Sequence, residues 1–437
     1  METHWSSDDS STPYSRASTP VTTPGFGSEQ GDGNQIVGNT ALDGNVNVRG
    51  ARFTLVIGGL GFIGSHTSLE LLKAGHNVII VDDLSNSFED VFSKIQKLAS
   101  EHCAETNSTM PMLHFHKLDY RSQSMRFLLE SYSTLVSVPS SHGSPRLSRQ
   151  SHISGVIHFA AFKSVPDSIA KPIPYYRNNV CGLVDLMDLL GKNNIRNFVF
   201  SSSATVYGNK ADLGRPLREE DLVHHVEPFI DDTGRETLAE PMSVGLQSPY
   251  ARTKHFCEAI LADIAVSDPS WRIVALRYFN PIGCDPSGLL GEDPKGVPTN
   301  LFPVITQVLT GSRPELDVFG SDWNTRDGTA IRDFVHVSDV AVGHVKALAS
   351  PAKVPFRTFN LGSGTGTTVQ EAVQSLEQAA SKSIPVRLTD RRAGDVGFCV
   401  ASNDRAFREL GWTAERSIPQ CARDLWHFVT KTKSATS

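Results

Sequence analysis

After residue 50 the chain alternates short apolar runs with longer stretches in which apolar side chains recur at helical spacing. Phe53-Thr54-Leu55-Val56-Ile57 is the first run, β-rich and apolar throughout, the pattern of a strand buried on both faces. It enters Gly58-Gly59-Leu60-Gly61-Phe62-Ile63-Gly64, then a helical pattern through Leu69, Leu72 and Lys73. A second strand is predicted over 77–81 and ends at Asp82. Further strands are predicted at 112–118, 155–159, 197–201 and 272–276, with helices near 122–132, 173–192 and 249–265. Strand and helix in this alternation predict an α/β fold, a doubly wound parallel sheet with helices on both faces.

Two stretches break the rhythm. Residues 133–152 are Ser-rich and polar, and 211–247 are acidic and Pro-containing; both read as surface insertions. Beyond residue 280 prolines 281, 286, 294, 298 and 303 mark loop-rich chain, expected to form a smaller α/β lobe over the sheet's C-terminal edge. The expected organisation is a tail over 1–50, a Rossmann-type domain over 51–280, and a lobe over 281–437 that partly returns to the sheet. The tail is Ser/Thr/Gly/Asp/Pro-rich and lacks apolar periodicity, so it is expected to be disordered.

The glycine segment carries the first chemistry. Gly58, Gly61 and Gly64 permit a tight turn, close approach of backbone to a pyrophosphate, and packing of the next helix on the sheet; the helix N-terminus favours the phosphate charge. Asp82, about two dozen residues after Gly58, is placed to bind adenosine ribose hydroxyls and to repel a 2′-phosphate, which points to NAD. The second chemistry lies in Tyr250-Ala251-Arg252-Thr253-Lys254. On a helix Tyr250 and Lys254 share one face, and an ammonium beside a phenol is expected to lower the phenol's pKa towards working pH.

Bulk properties narrow the partners. The net charge is −6 with no basic stripe, so neither nucleic acid nor an anionic membrane is suggested. No apolar run approaches a membrane span of about 20 residues, and no secretory signal core is seen. Six cysteines are scattered (103, 181, 257, 284, 399 and 421) without CxxC pairs, as in a reduced cytoplasmic protein; no metal site is expected.

Several strings converge on one family: GGLGFIGSH at 58–66, HFAAFKSV at 158–165, SSSATVYG at 201–208, SPYARTK at 248–254, RYFNPIG at 277–283, GEDPKGVPTNL at 291–301, DGTAIRDFVHV at 327–337 and RRAGDV at 391–396. From about residue 51 to 430 the chain resembles the UDP-glucose 4-epimerases, extended short-chain dehydrogenases/reductases. The resemblance implies NAD contacts at Phe62, Ile63, Asp82, Asp83, Ser85, Asn86, Ser87, Asp119, Tyr120, Phe159, Ala160, Ala161, Phe162, Lys163, Asn178, Tyr250, Lys254 and Phe279. It implies UDP-sugar contacts at Ser203, Tyr250, Asn280, Asn300, Leu301, Phe319, Arg332, Arg392, Asp395 and Cys399. Tyr250, Lys254, Ser203 and Thr205 would carry catalysis. Hydride would pass from sugar C4′ to NAD and return to the opposite face of a 4-keto sugar.

Departures from the family are Ile57, Asp83, Thr299 and Pro166. Ser203-Ala204-Thr205 lacks the carboxylates of the related sugar dehydratases, which disfavours elimination of water. The small Cys399 leaves UDP-GlcNAc and UDP-GalNAc open as substrates. A UDP-glucuronate or UDP-pentose epimerase and a non-catalytic NAD-binding regulator stand as alternatives. The resemblance implies a homodimer through helices 173–192 and 249–265, and Leu183, Leu186, Met187 and Leu190 fit either that interface or ordinary core.

Overall fold

The computed structural model describes residues 48–436 apart from 49, 139–145, 232, 243–244, 297, 299, 351–353 and 393–394. The expected tail and Thr299 lie outside the described residues, save Val48 and Gly50. Val48 is buried in the core, so ordered chain begins slightly before the expected boundary at 51.

The strands, in chain order, are β1 Phe53–Ile57, β2 Asn77–Asp82, β3 Leu113–Lys117, β4 Ser133–Val138, β5 Arg146–Ser151, β6 Ile153–His158, β7 Asn197–Ser203, β8 Glu227–Ile230, β9 Glu236–Ala239, β10 Arg272–Tyr278, β11 Asn280–Ile282, β12 Leu316–Phe319, β13 Ile331–His336, β14 Phe356–Leu361, β15 Gly366–Thr368, β16 Val386–Thr389 and β17 Phe398–Cys399. Seven form one sheet in the order β14-β10-β7-β6-β1-β2-β3, and every pairing in it is parallel.

Successive side chains point to opposite faces, and both faces are dry. Val56, Ile80, Val199 and Leu276 join one core cluster; Leu55, Ile57, Ile79, Phe198 and Ala275 join the other. Leu183, Leu186, Met187 and Leu190, on helix Gly182–Lys192, belong to the second cluster and are core. The expected helix over 173–192 is interrupted by a π-helical stretch, Tyr176–Cys181, that turns Asn178 and Asn179 inward.

A smaller core gathers around β13, which pairs with β11, β15 and β17. Phe302, Ile305, Phe334, Leu376 and Leu425 fill it, from helices Leu301–Leu309, Val369–Ala380 and Ile418–Thr436 and from β13. The 133–152 stretch contains an antiparallel hairpin, β4 with β5. The 211–247 stretch does not lie wholly at the surface. Leu217, Glu219, Leu222 and Val223 are buried, because Arg277 and Asn360 draw this backbone inward; only afterwards does the β8–β9 hairpin emerge.

Candidate functional site

Strand order reverses between β1 and β6: the chain runs from β1 to β2 and β3 on one side, and from β6 to β7, β10 and β14 on the other. The crevice beyond the C-terminal ends of these strands is where such sheets hold ligands. A cavity of about 310 Å³ lies there, lined by the glycine turn, Asp82 to Phe88, Phe159 to Lys163, Ser201 to Ser203, Tyr250, Lys254 and Phe279.

The glycines are required by close contact. Gly58 sits at φ +79°, and a Cβ on it would approach Ala160 N to 2.8 Å; on Gly64 a Cβ would lie 2.1 Å from Gly58 O. Gly61 caps the helix Phe62–Lys73, whose first turn holds no acidic residue. Phe62, Ile63 and Gly64, which open that helix, line the cavity, so its N-terminus suits an anion there. Asp82 does more than the sequence suggests. Its carboxylate accepts from Ser87 Oγ at 2.7 Å and from Leu60 N and Leu84 N at 3.0 Å, tying the glycine turn to the loop after β2. Burial raises its pKa against these bonds. A carboxylate offers about four acceptor positions, so one remains for a ribose hydroxyl.

The other expected cofactor residues fall around this seat. Asp83 accepts from Ser85 N at 2.9 Å, Tyr120 donates to Asn178 O at 2.7 Å, and Phe162 N donates to Asn179 at 2.9 Å. Asp119 stands outside the cavity lining and is held by Arg121 at 2.7 Å.

The strap opposite, Leu289 to Pro294, overlaps the string GEDPKGVPTNL that carries the resemblance, but the resemblance assigns none of its residues a contact. Its Glu292 pairs with Lys163 at 2.9 Å and accepts from Asn300 at 3.0 Å. Next to it, Lys295 donates to Leu84 O at 2.6 Å, and its N–H donates to Asn86 at 3.1 Å. The expected lobe over the sheet's C-terminal edge accounts for its place, but the pairing of Glu292 with Lys163 is set only by the fold.

The catalytic candidates meet at the end of β7. Helix Pro249–Ser267 starts at Ser248, whose hydroxyl accepts from Ala251 N at 3.2 Å, with Pro249 at its first position. Thr205 donates to Ser203 Oγ at 3.0 Å, and Ser203 and Tyr250 both line the cavity at this point. With its oxygen accepting from Thr205, Ser203 has its own proton left to donate.

The expected effect of Lys254 on Tyr250 is not found. Burial pushes the Tyr250 phenol up to about 12, and the opposing influence is Ser203. Lys254 is directed elsewhere: Nζ donates to Ser201 O at 2.6 Å and lies 4.8 Å from the Phe200 ring centre. Burial lowers its pKa to about 8.

The expected substrate residues divide. Asn300 lines the cavity; Asn280 donates to Asp333 O at 3.0 Å on its flank, and Leu301 opens the adjoining helix. Arg392 lies 4.4 Å over the Phe319 ring and pairs with Asp395 at 2.9 Å, so these three form one cluster. Arg332 and Cys399 are register partners in β13 and β17. Cys399 packs against the cluster that includes Phe279 and Ala204, which brings the lobe against the catalytic strand end.

Comparison with known proteins places this geometry. The NAD dependent epimerase/dehydratase family matches residues 54–362. UDP-glucose 4-epimerase 2 of Arabidopsis thaliana is 40% identical over 382 residues, 87% of this chain and 95% of its own length. The Homo sapiens UDP-glucose 4-epimerase is 38% identical over 386 residues, covering 88% and 98%. The crystal structure of the Bifidobacterium longum UDP-glucose 4-epimerase, in complex with NAD+ and UDP, aligns at a TM-score of 0.72 with 37% identity, covering 87% of this chain and 99% of that one.

Proposed function

We propose that this chain, which belongs to the NAD dependent epimerase/dehydratase family, interconverts UDP-galactose and UDP-glucose through a transient 4-keto sugar. The observation that carries the proposal is the convergence of Ser203, Tyr250 and Lys254 on one cavity with the glycine turn, Ser203 being held by Thr205.

The residues fit NAD: a cradle that a Cβ at Gly58 or Gly64 would fill, a helix N-terminus, and an acid with one acceptor position left. Bound there, the oxidised dinucleotide supplies the hydride acceptor and the positive charge of its ring. Tyr250 takes the 4′-hydroxyl proton as C4′ loses hydride, and gives a proton back to that oxygen when hydride returns to the opposite face of C4′. Ser203, by donating to the phenol oxygen, stabilises the phenolate. Lys254, buried and partly deprotonable near neutrality, serves the nicotinamide ribose. Arg332 and Arg392 suit a diphosphate. With Ala204 between Ser203 and Thr205, no carboxylate stands ready to eliminate water.

We read 51–280 as the NAD-binding domain and 281–437 as mainly the UDP-sugar lobe, with β14 returned to the large sheet. The homodimer is proposed through Ile173, Val184 and Phe256, exposed apolar side chains within the segments 173–192 and 249–265 expected to pair. Six free thiols support a cytoplasmic setting. No helix among the described residues is long and apolar enough to cross a membrane.

The test is purified protein with UDP-galactose and no added NAD. UDP-glucose formation supports inversion with a retained cofactor. No turnover even with NAD supplied removes the proposal.

A further inference from the structure

Two turns into the helix that carries Tyr250 and Lys254 stands Glu258, on the same face at the same four-residue interval. It is fully buried, and neither the cofactor nor the sugar accounts for it. Its Oε1 accepts from Ser202 Oγ in a very short hydrogen bond. Two consecutive residues of β7 are thereby taken by two helix residues four apart, Ser201 O by Lys254 and Ser202 by Glu258, while Ser203 and Tyr250, the next member of each series, line the cavity together.

Glu258 is itself anchored. Arg277, also fully buried, donates to both carboxylate oxygens at 2.7 to 3.2 Å, and His224 Nε2 lies 2.9 Å from Oε2. Arg277 reaches on to Tyr207 at 3.0 Å and to Leu222 O at 2.9 Å, and Tyr207 donates to Asn360 at 2.7 Å. Glu258 therefore belongs to a frame spanning the helix, β10, β14 and the buried part of the 211–247 stretch. Burial alone would neutralise the acid, but Arg277 and His224 hold it ionised.

We propose that Ser202 and Glu258 are positioning residues of the proposed epimerase: their bond sets the depth at which the catalytic helix seats on β7, and so sets where Tyr250 stands relative to Ser203 in the cavity wall. Ser202 Oγ and Ser203 Oγ belong to adjacent residues of one rigid strand, and Glu258 and Tyr250 to one rigid helix. Loosening the Ser202–Glu258 contact lets Tyr250 drift relative to Ser203, and displacement of about 1 Å at a reacting group costs about a hundredfold in rate. The inference rests on the epimerase reading, but its structural half can be read without turnover.

The experiment compares Ser202→Ala with wild type and Ser202→Thr. Ser202→Ala removes only the hydroxyl and leaves the Glu258–Arg277 pair intact, so the fold is kept. Two readouts are taken on NAD-loaded protein. One is kcat and KM for UDP-galactose. The other is the Tyr250 resonance in protein labelled with ¹³Cζ-tyrosine, assigned with Tyr250→Phe. The proposal expects kcat to fall about tenfold or more with KM within twofold, a displaced or broadened Tyr250 line, and restoration of both by Ser202→Thr. An unchanged kcat and Tyr250 line overturns it, as does a lower melting temperature with unchanged kcat. If wild type does not turn over UDP-galactose yet the Tyr250 line still moves in Ser202→Ala, the substrate reading fails while the positioning role stands.

Discussion

Gly64→Ala adds one methyl group where the glycine turn meets the first helix. The Cβ would lie 2.1 Å from Gly58 O and 2.9 Å from Gly59 Cα, both backbone atoms that no rotamer change can clear. To reach even 3.0 Å, helix and turn must separate by about 0.9 Å. Gly58 cannot absorb the movement freely, since at φ +79° it is already close against Ala160. Overpacking of this kind costs about 1–3 kcal/mol. At roughly 2–4 °C per kcal/mol for domains somewhat smaller than this one, melting should fall by about 2–12 °C. Affinity for the dinucleotide should suffer more, because the displaced residues line the cavity. Turnover should fall too, by about a hundredfold where the reacting groups are displaced near 1 Å. The assay is the NAD content of the purified variant with its melting curve, with and without added NAD. Full NAD occupancy with wild-type turnover would refute the reasoning, because it would mean that the helix need not sit against Gly58.

Three further outcomes follow from the same geometry. Tyr250→Phe should lower kcat by about 10²–10⁴ with UDP binding by calorimetry unchanged, since only the proton acceptor is lost; a kcat within threefold of wild type would count against Tyr250 as the base. Lys254 has a folded pKa of about 8 against an ordinary 10.5, so the folded state binds fewer protons between those values and wild-type stability should gain an increment as pH rises through that window. Lys254→Met should lack that increment in pH-dependent urea unfolding and lose turnover; identical slopes would contradict the burial argument. Lys295→Ala removes the 2.6 Å bond to Leu84 O, and release of NAD, followed by dilution into apo-acceptor, should quicken about tenfold; an unchanged rate would exclude the strap as a retaining element.

Much of this architecture is legible because local pattern and global fold agree. Phe53–Ile57 and Asn77–Asp82 are apolar on both faces, and that pattern suits little besides a central parallel strand. The glycine spacing carries the crevice, since close backbone approach leaves no other residue type. Helix Asp90–Glu105 was not anticipated, because its polar positions mask a stripe of Phe92, Ile95, Leu98 and Cys103. The π-helical turn at Tyr176–Cys181 was equally hidden, having no sequence signal apart from two asparagines that find partners only in three dimensions.

At the site, spacing placed Tyr250 and Lys254 on one helical face but did not reveal where the ammonium is spent. Ser201 O takes it, and Ser203 acts on the phenol instead. Glu258 was invisible as a functional residue for a related reason. A glutamate on a helix reads as surface, and only the arrival of Arg277, two strand positions before Phe279, shows why it is buried.

The central claim is that hydride leaves sugar C4 and returns to the same sugar without exchange. A crossover experiment tests it directly: UDP-galactose carrying deuterium at C4 is mixed with UDP-galactose carrying ¹³C elsewhere in the ring, and the UDP-glucose formed is analysed by mass spectrometry. The account predicts that deuterium stays with the unlabelled carbon skeleton and appears in neither solvent nor the ¹³C product. Deuterium in the ¹³C product, or its loss to water, would contradict it.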